Sequence, residues 1–218
     1  MTRVPLLVEG QTEEAFVREL LAPQFANIGV YLNPILIATS PTQKGGMVSY
    51  AKTRPQIVRK CREDPRAFVS TMFDLYALPR DFPGRNAPGY PAGANGAAKA
   101  AFLEVQLAAD IAHERFVPNI VVHEFEALLF TQPERFGPWV DDDRIVGQLQ
   151  AIRRDAVPED INELPHTAPS KRILAAMPGY QKTLHGPLIA KDIGLDAMRA
   201  QCPHFDGWLR KLEALANP

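Results

Sequence analysis

The chain has 218 residues, of which 46% are apolar and 22% charged, the profile of a globular protein rather than a disordered one. That length accommodates one substantial α/β domain with a small appendage. A formal net charge of −1 excludes global attraction to nucleic acid, so a polyanion substrate needs a local basic patch, divalent ions or a basic partner.

Leu6-Leu7-Val8-Glu9-Gly10-Gln11-Thr12-Glu13-Glu14 reads as an apolar strand that ends in a carboxylate and turns directly into a helix. Gly10 allows the sharp turn, and Thr12 is the expected N-cap for the periodic run Phe16, Val17, Leu20, Leu21. Glu9 then stands at the strand tip and Glu13 in the first helical turn. The two converge on a shared site, or Glu13 and Glu14 only complement the helix dipole. Val30 to Ala38 is a second strand, and Pro34 within it suggests an edge position or an irregular start. Pro41 to Met47 forms a loop with Lys44-Gly45-Gly46, followed by a helix from Val48 to Arg62, bent or restarted near Pro55.

Ala67 to Asp74 is a third strand that again ends in a carboxylate. Leu78 to Asn95 is rich in proline and glycine and reads as a long surface loop. Ala97 to Arg115 is helical by periodicity, and Phe116 to Val122 is a fourth strand leading into His123-Glu124-Phe125-Glu126-Ala127-Leu128-Leu129-Phe130. From Pro133 onward, short helical stretches alternate with proline-bearing turns. The expected fold is α/β: residues 1–132 form a mostly parallel sheet flanked by helices, and residues 133–218 a helical extension packed on it.

Cys61 and Cys202 lack metal-ligand spacing and fit a reducing compartment. The N-terminus carries no recognisable secretion signal, and no apolar run approaches the roughly 18–20 residues of a membrane span. A cytoplasmic protein is expected. Neither a P-loop nor a dinucleotide-binding glycine fingerprint occurs, so the chain does not read as a nucleotide hydrolase on its own.

In a parallel sheet the carboxyl ends of strands share one edge, where ligands bind. Glu9 with Glu13, Asp74, and Glu124 with Glu126 can therefore become neighbours. Clustered carboxylates repel, and burial raises their pKa values. A hard divalent ion removes that conflict, and two ions roughly 3.5–4 Å apart can serve an in-line phosphodiester displacement. Glu124 and Glu126 lie roughly 200° apart on a regular helix, so one faces the site and the other caps or pairs elsewhere; Glu126 is slightly favoured. His123 is read as a metal ligand, a proton relay or a packed side chain, and His166, His185 and His204 have no derivable role. Lys171 and Arg172 suit phosphate contact or a solvated helix terminus, and Lys44 suits a phosphate contact or an ordinary turn.

Val8-Glu9-Gly10-Gln11-Thr12-Glu13-Glu14, Phe73-Asp74-Leu75-Tyr76, Leu78-Pro79, Asp81-Phe82-Pro83-Gly84 and His123 to Phe130 occur in this order with Thr167 to Arg172, His185 to Ala190 and Cys202 to Asp206. This series resembles domain-of-unknown-function family 4276, whose members resemble TOPRIM domains. The resemblance implies the metal-dependent phosphotransfer fold of topoisomerases, primases and overcoming-lysogenization-defect nucleases. Glu9 and Glu13 match two metal-binding glutamates of those nucleases. The TOPRIM Asp-x-Asp pair matches at Asp74 but has Tyr76 at its second position, which implies either a ligand shifted to Glu124 or Glu126 or a weakened or absent catalysis.

The resulting expectation is a Mg²⁺- or Mn²⁺-dependent nuclease acting on DNA or RNA. Glu9, Glu13, Asp74, Glu124 and Glu126 are its metal residues, Glu9, Asp74 and Lys171 its catalytic residues, and Lys44, Lys171 and Arg172 its phosphate contacts. By analogy, a separate ATPase partner and a role in phage defence follow. The alternative is a non-catalytic TOPRIM-like module that binds a partner or senses nucleic acid. A third reading is a metal-dependent phosphatase or nucleotidyl transferase on small substrates. Oligomeric state is not legible.

Overall fold

Strand β1 (Thr2–Val8) occupies the middle of a parallel sheet ordered β2-β1-β3-β4. The computed structural model describes residues 1–38, 47, 49–76, 78–161 and 167–216. Strand β2 (Val30–Leu36) lies at the sheet edge, paired with β1 in parallel from Thr2↔Val30 to Val8↔Leu36. Pro34 is tolerated there because an edge strand need not donate on both sides. Strand β3 (Val69–Asp74) pairs with the other side of β1.

The fourth strand is broken rather than continuous. It comprises β4 (Phe116–Val117) and β5 (Ile120–Val121), each parallel to β3. Pro118 has no N–H to give the ladder. The Thr71 hydroxyl bridges the gap, donating to Asn119 O and accepting from Asn119 N, both at 2.9 Å.

The two faces of the sheet bury different elements, as alternation along a strand requires. Val4, Leu6 and Val8 face one core with Phe16, Phe125 and Trp208, whereas Leu7 faces another with Ile57, Phe73 and Leu103. Helices α1 (Gln11–Phe16) and α2 (Ala22–Ala26), joined by a π-helical turn at Val17–Leu21, cover the first face. The widened turn precedes Pro23, which lacks the N–H that a regular helix needs there. Helices α3 (Tyr50–Glu63) and α4 (Gly96–Ile111) cover the second face. Pro55 lies inside α3 without ending it, and α4 stops at Ala112, which adopts the left-handed conformation with φ 50°.

All described strands end by Val121. Beyond them come 3-10 turns at Phe125–Thr131 and Pro133–Trp139, followed by α5 (Asp143–Asp155), α6 (Pro169–Ala176), α7 (Lys182–Ile193), α8 (Leu195–Gln201) and α9 (Pro203–Glu213). These helices share the first core with β1. Trp208 in α9 donates from Nε1 to the Ser70 hydroxyl in β3 at 3.0 Å. Cys61 and Cys202 are both free and buried. No helix among the described residues is long and apolar enough to cross a membrane.

α7 packs closely on α1. A methyl group on Gly186 would lie 3.1 Å from the Tyr180 hydroxyl and 3.2 Å from both Phe125 Cε1 and Thr12 Cγ2. Gly186→Ala should therefore cost about 1–3 kcal/mol, the range for overfilling a packed site. The midpoint of urea unfolding measures it, and an unchanged midpoint would show that the helices can separate freely.

Candidate functional site

Glu9 leaves the end of β1, and its Oε1 accepts the backbone N–H of Asp74 at the end of β3, at 2.9 Å. The Met47 backbone also hydrogen-bonds to the Glu9 carboxylate. Two adjacent strand ends are thus tied together by a side chain from one of them.

The turn after Glu9 differs from the expected Thr12 cap. Gly10 is the N-cap of α1, it makes no side-chain cap, and Thr12 is buried within the first turn. The Glu13 carboxylate reaches back to the backbone of Gly10 and of Glu13 itself, the glutamate half of a capping box. A methyl on Gly10 would lie 2.7 Å from Glu13 Oε2, so the glycine makes room for that carboxylate.

Glu124 and Glu126 come from the chain after β5. His123, with φ 66°, turns that chain in the left-handed region, a conformation that costs a non-glycine residue about 1–3 kcal/mol. Glu124 is extended and the 3-10 turn begins only at Phe125. The helical separation anticipated for Glu124 and Glu126 therefore does not apply, and both side chains interact electrostatically with Glu13 and Asp74. Glu124 Oε2 accepts the Ser170 N–H at the start of α6, at 2.9 Å. Glu126, only 2% exposed, places Oε1 3.3 Å from Lys182 Nζ. Apart from that ion pair the oxygen has no hydrogen-bond partner.

Burial is the main force on these groups. It pushes Glu9 and Glu126 up to about 7, opposed at Glu9 by the Asp74 N–H and at Glu126 by Lys182. Burial also raises Glu13. Asp74 is held well above the ordinary aspartate range by burial, and then by the charges of Glu13, Glu9, Glu126 and Glu124. Its Oδ1 is buried with no hydrogen-bond partner. The Tyr180 hydroxyl is likewise buried and unpartnered, and burial together with Glu126, Glu124 and Glu13 suppresses its ionisation. Lys182 remains a cation because Glu126 and Glu124 outweigh its own burial.

The donor set suits a hard cation in chemistry: buried carboxyl oxygens, two of them unsatisfied, and no sulfur. Among the described residues no three His, Cys, Asp or Glu side chains stand in ready metal-ligating geometry. Their oxygens are turned instead to the Asp74, Gly10 and Ser170 backbone and to Lys182.

The other expected residues are placed differently. Lys171 is exposed in the first turn of α6, beside Ser170, and Arg172 donates from Nε to Thr167 O at 2.8 Å. Lys44 and His166 lie outside the described residues. Tyr76 is 40% exposed and donates its N–H to His123 O at 3.0 Å. The His123 ring packs beneath the start of α4, and burial lowers its proton affinity. His185 Nδ1 accepts the Gln181 N–H, and His204 Nε2 lies 2.9 Å from Glu104 Oε1. Sequence reasoning missed Lys182 and Tyr180. Their only local signal is a polar, turn-forming Gly179-Tyr180-Gln181-Lys182 stretch before a helix.

The model of the family described as "Domain of unknown function (DUF4276)" matches residues 8–213, and the chain belongs to this family. No curated protein matches the sequence significantly. A solved structure similar to the chain is the C-terminal region of the Xanthomonas campestris pv. campestris OLD protein. The two are 16% identical, with 98% of this chain and 95% of that one covered and a TM-score of 0.41. At that score the α/β assignment rests on the parallel strand order itself.

Proposed function

We propose that this member of the DUF4276 family is a Mg²⁺- or Mn²⁺-dependent, TOPRIM-like nuclease that hydrolyses DNA or RNA phosphodiesters. The observation that carries the reading is the gathering of Glu9, Glu13, Asp74, Glu124 and Glu126 at one sheet edge, mutually repelling. Five buried carboxyl groups beside one lysine are only partly compensated, which is costly, and a cation is the partner that would use rather than merely tolerate them. Glu9, Glu13, Asp74 and Glu126 would hold the ion, with Glu124 assisting from its place on Ser170.

When bound, the ion supplies Lewis-acid polarisation of the phosphoryl group and activation of water near neutral pH. The chain supplies the remainder. Glu9 and Glu126 are raised to about 7 by burial in the metal-free chain, and a bound cation would lower both and keep them as carboxylate ligands. Lys182, already charged and adjacent to the cluster, is placed to meet a phosphate oxygen once Glu126 turns elsewhere. Lys171, one residue past the Glu124 contact, is the outer candidate for the same role. A separate ATPase partner and a role in phage defence belong to this reading through the TOPRIM resemblance.

Labelled single-stranded DNA, duplex DNA and RNA incubated with Mn²⁺ test it. Cleavage should appear in the wild type and fall about 10²–10³-fold in Lys182→Ala, the usual cost of removing one charge-stabilising donor. Intact substrates at high protein concentration, with and without a candidate ATPase, would overturn it. A second reading, a non-catalytic module that binds a partner or senses nucleic acid, is favoured by Tyr76 at the second acidic position of the TOPRIM pair and by the unready ligand geometry. It predicts nucleic-acid or partner binding with no divalent-dependent turnover.

A further inference from the structure

We propose that the outer face of α3 is the surface on which nucleic acid served by the acidic site lays its phosphates. The inference deepens the nuclease reading and rests on it for the identity of the partner. Tyr50, Thr53, Ile57 and Cys61 turn inward and are buried. The opposite side of the helix carries an open groove of about 730 Å³ lined by Arg54, Pro55, Val58, Arg59, Arg62 and Glu63.

Charge selects the occupant. Between Tyr50 and Arg66, six basic residues stand against two acidic ones, a balance of +4 in a chain whose total is −1, so the remainder carries −5. Both acids are already satisfied: Glu63 pairs with Lys60 and Asp64 with Arg3, each at 2.6 Å. Arg54 is fixed by Asp110 of α4, at 2.7 Å from Nε. Arg59 and Arg62 are exposed and have no ion pair among the described residues. Their planar guanidinium groups suit two-point contact with phosphate. Pro55 and Val58 alone give too small an apolar floor for a protein anchor.

Position ties the groove to the site. A helix linking parallel strands begins at the carboxyl edge of the sheet, and α3 begins three residues after Met47, whose backbone contacts Glu9. Asp81 holds that end by accepting the Tyr50 and Ala51 N–H groups at 2.9 and 3.0 Å. From Arg54 to Arg62 the helix rises about 12 Å at roughly 1.5 Å per residue, the reach of three or four phosphates at about 3.4 Å per nucleotide. A polyanion repelled by the carboxylate cluster thus meets a cationic track leading away from it.

Fluorescence anisotropy of the full chain with a labelled single-stranded DNA oligonucleotide, in EDTA and across a salt series, tests this independently of turnover. The double variant Arg59→Glu/Arg62→Glu should bind at least about tenfold more weakly, with a log–log salt slope shallower by about 1.4, or roughly 0.7 for each lost contact on a single strand. Arg135→Glu/Arg144→Glu, the same charge change on another exposed surface, should retain most of the affinity and the slope. Matching melting temperatures exclude misfolding. Equal weakening by both doubles, no binding by the wild type, or equal competition by polyglutamate per charge would overturn the surface. If the wild type cleaves nucleic acid while Arg59→Glu/Arg62→Glu keeps affinity and KM, the surface falls and the nuclease reading stands. If binding is lost in that variant but the wild type never cleaves, the surface stands and the catalytic reading falls.

Discussion

Replacing Glu9 by Gln should make the metal-free protein more stable at pH 8 while abolishing divalent-dependent cleavage. Glu9 is buried, and burial is the largest cause of its rise to about 7. At pH 8 the wild type must therefore keep a charge in a place that disfavours it. Glutamine retains the Oε1 that accepts the Asp74 N–H and removes the charge. A rise in pKa from 4.5 to about 7 corresponds to about 3 kcal/mol, an upper bound because the groups of the cluster share neighbours. For a chain of this size that bound is equivalent to roughly 6–12 °C in melting temperature, and part of it should appear.

Asp74→Asn should act in the same direction, since burial and four neighbouring acids raise Asp74. Losing a metal-binding carboxylate removes several kcal/mol of charge stabilisation, which is about 10³-fold or more in rate. Opposite signs in stability and activity are what distinguish a site that holds strain for function from ordinary core. A loss of both would mean that these carboxylates serve packing.

The metal-free protein should also lose stability as pH rises from about 5 to about 8, and Mg²⁺ should restore it only at the upper end. The carboxylates of Glu9 and Glu126 have folded-state pKa values raised above their unfolded ones. The native state therefore binds more protons than the unfolded chain, and stability falls as those protons leave. The favourable contribution is complete below about 4.5 and is lost as pH passes through about 7. Below that window protons occupy the oxygens a cation would need. Above it, an ion at 100 times its dissociation constant adds about 2.7 kcal/mol. Melting temperature against pH, with EDTA and with Mg²⁺, should give curves that join near pH 5 and separate above pH 7. Superimposed curves across the range would contradict the prediction.

The acidic edge was legible because it depends on a short-range pattern. Glu9 and Asp74 each follow an apolar strand run, and parallel strands bring such ends together whatever lies between. Of the two readings Pro34 left open, an edge position and an irregular start, the edge position is the one β2 takes. What failed did so for local reasons. The cap at Thr12 gave way to Gly10 because the Glu13 carboxylate itself satisfies the helix start. Glu124 and Glu126 turn to one cluster because His123 redirects the backbone and the helix begins a residue later than periodicity suggests. Lys182 and Tyr180 enter from α7 and the turn before it, more than 50 residues beyond Glu126 in the sequence. No pattern in the sequence fixes how that helix docks. Gly186 at the α1–α7 contact only states in retrospect that the approach is close.

The most direct measurement is the anomalous scattering of a crystal soaked in Mn²⁺ at pH 8. The expected result is one or two manganese peaks bounded by the carboxyl groups of Glu9, Glu13, Asp74 and Glu126, with Lys182 moved off Glu126. No peak at millimolar Mn²⁺, with Glu126 still against Lys182, would contradict the claim that this cluster exists to hold a cation.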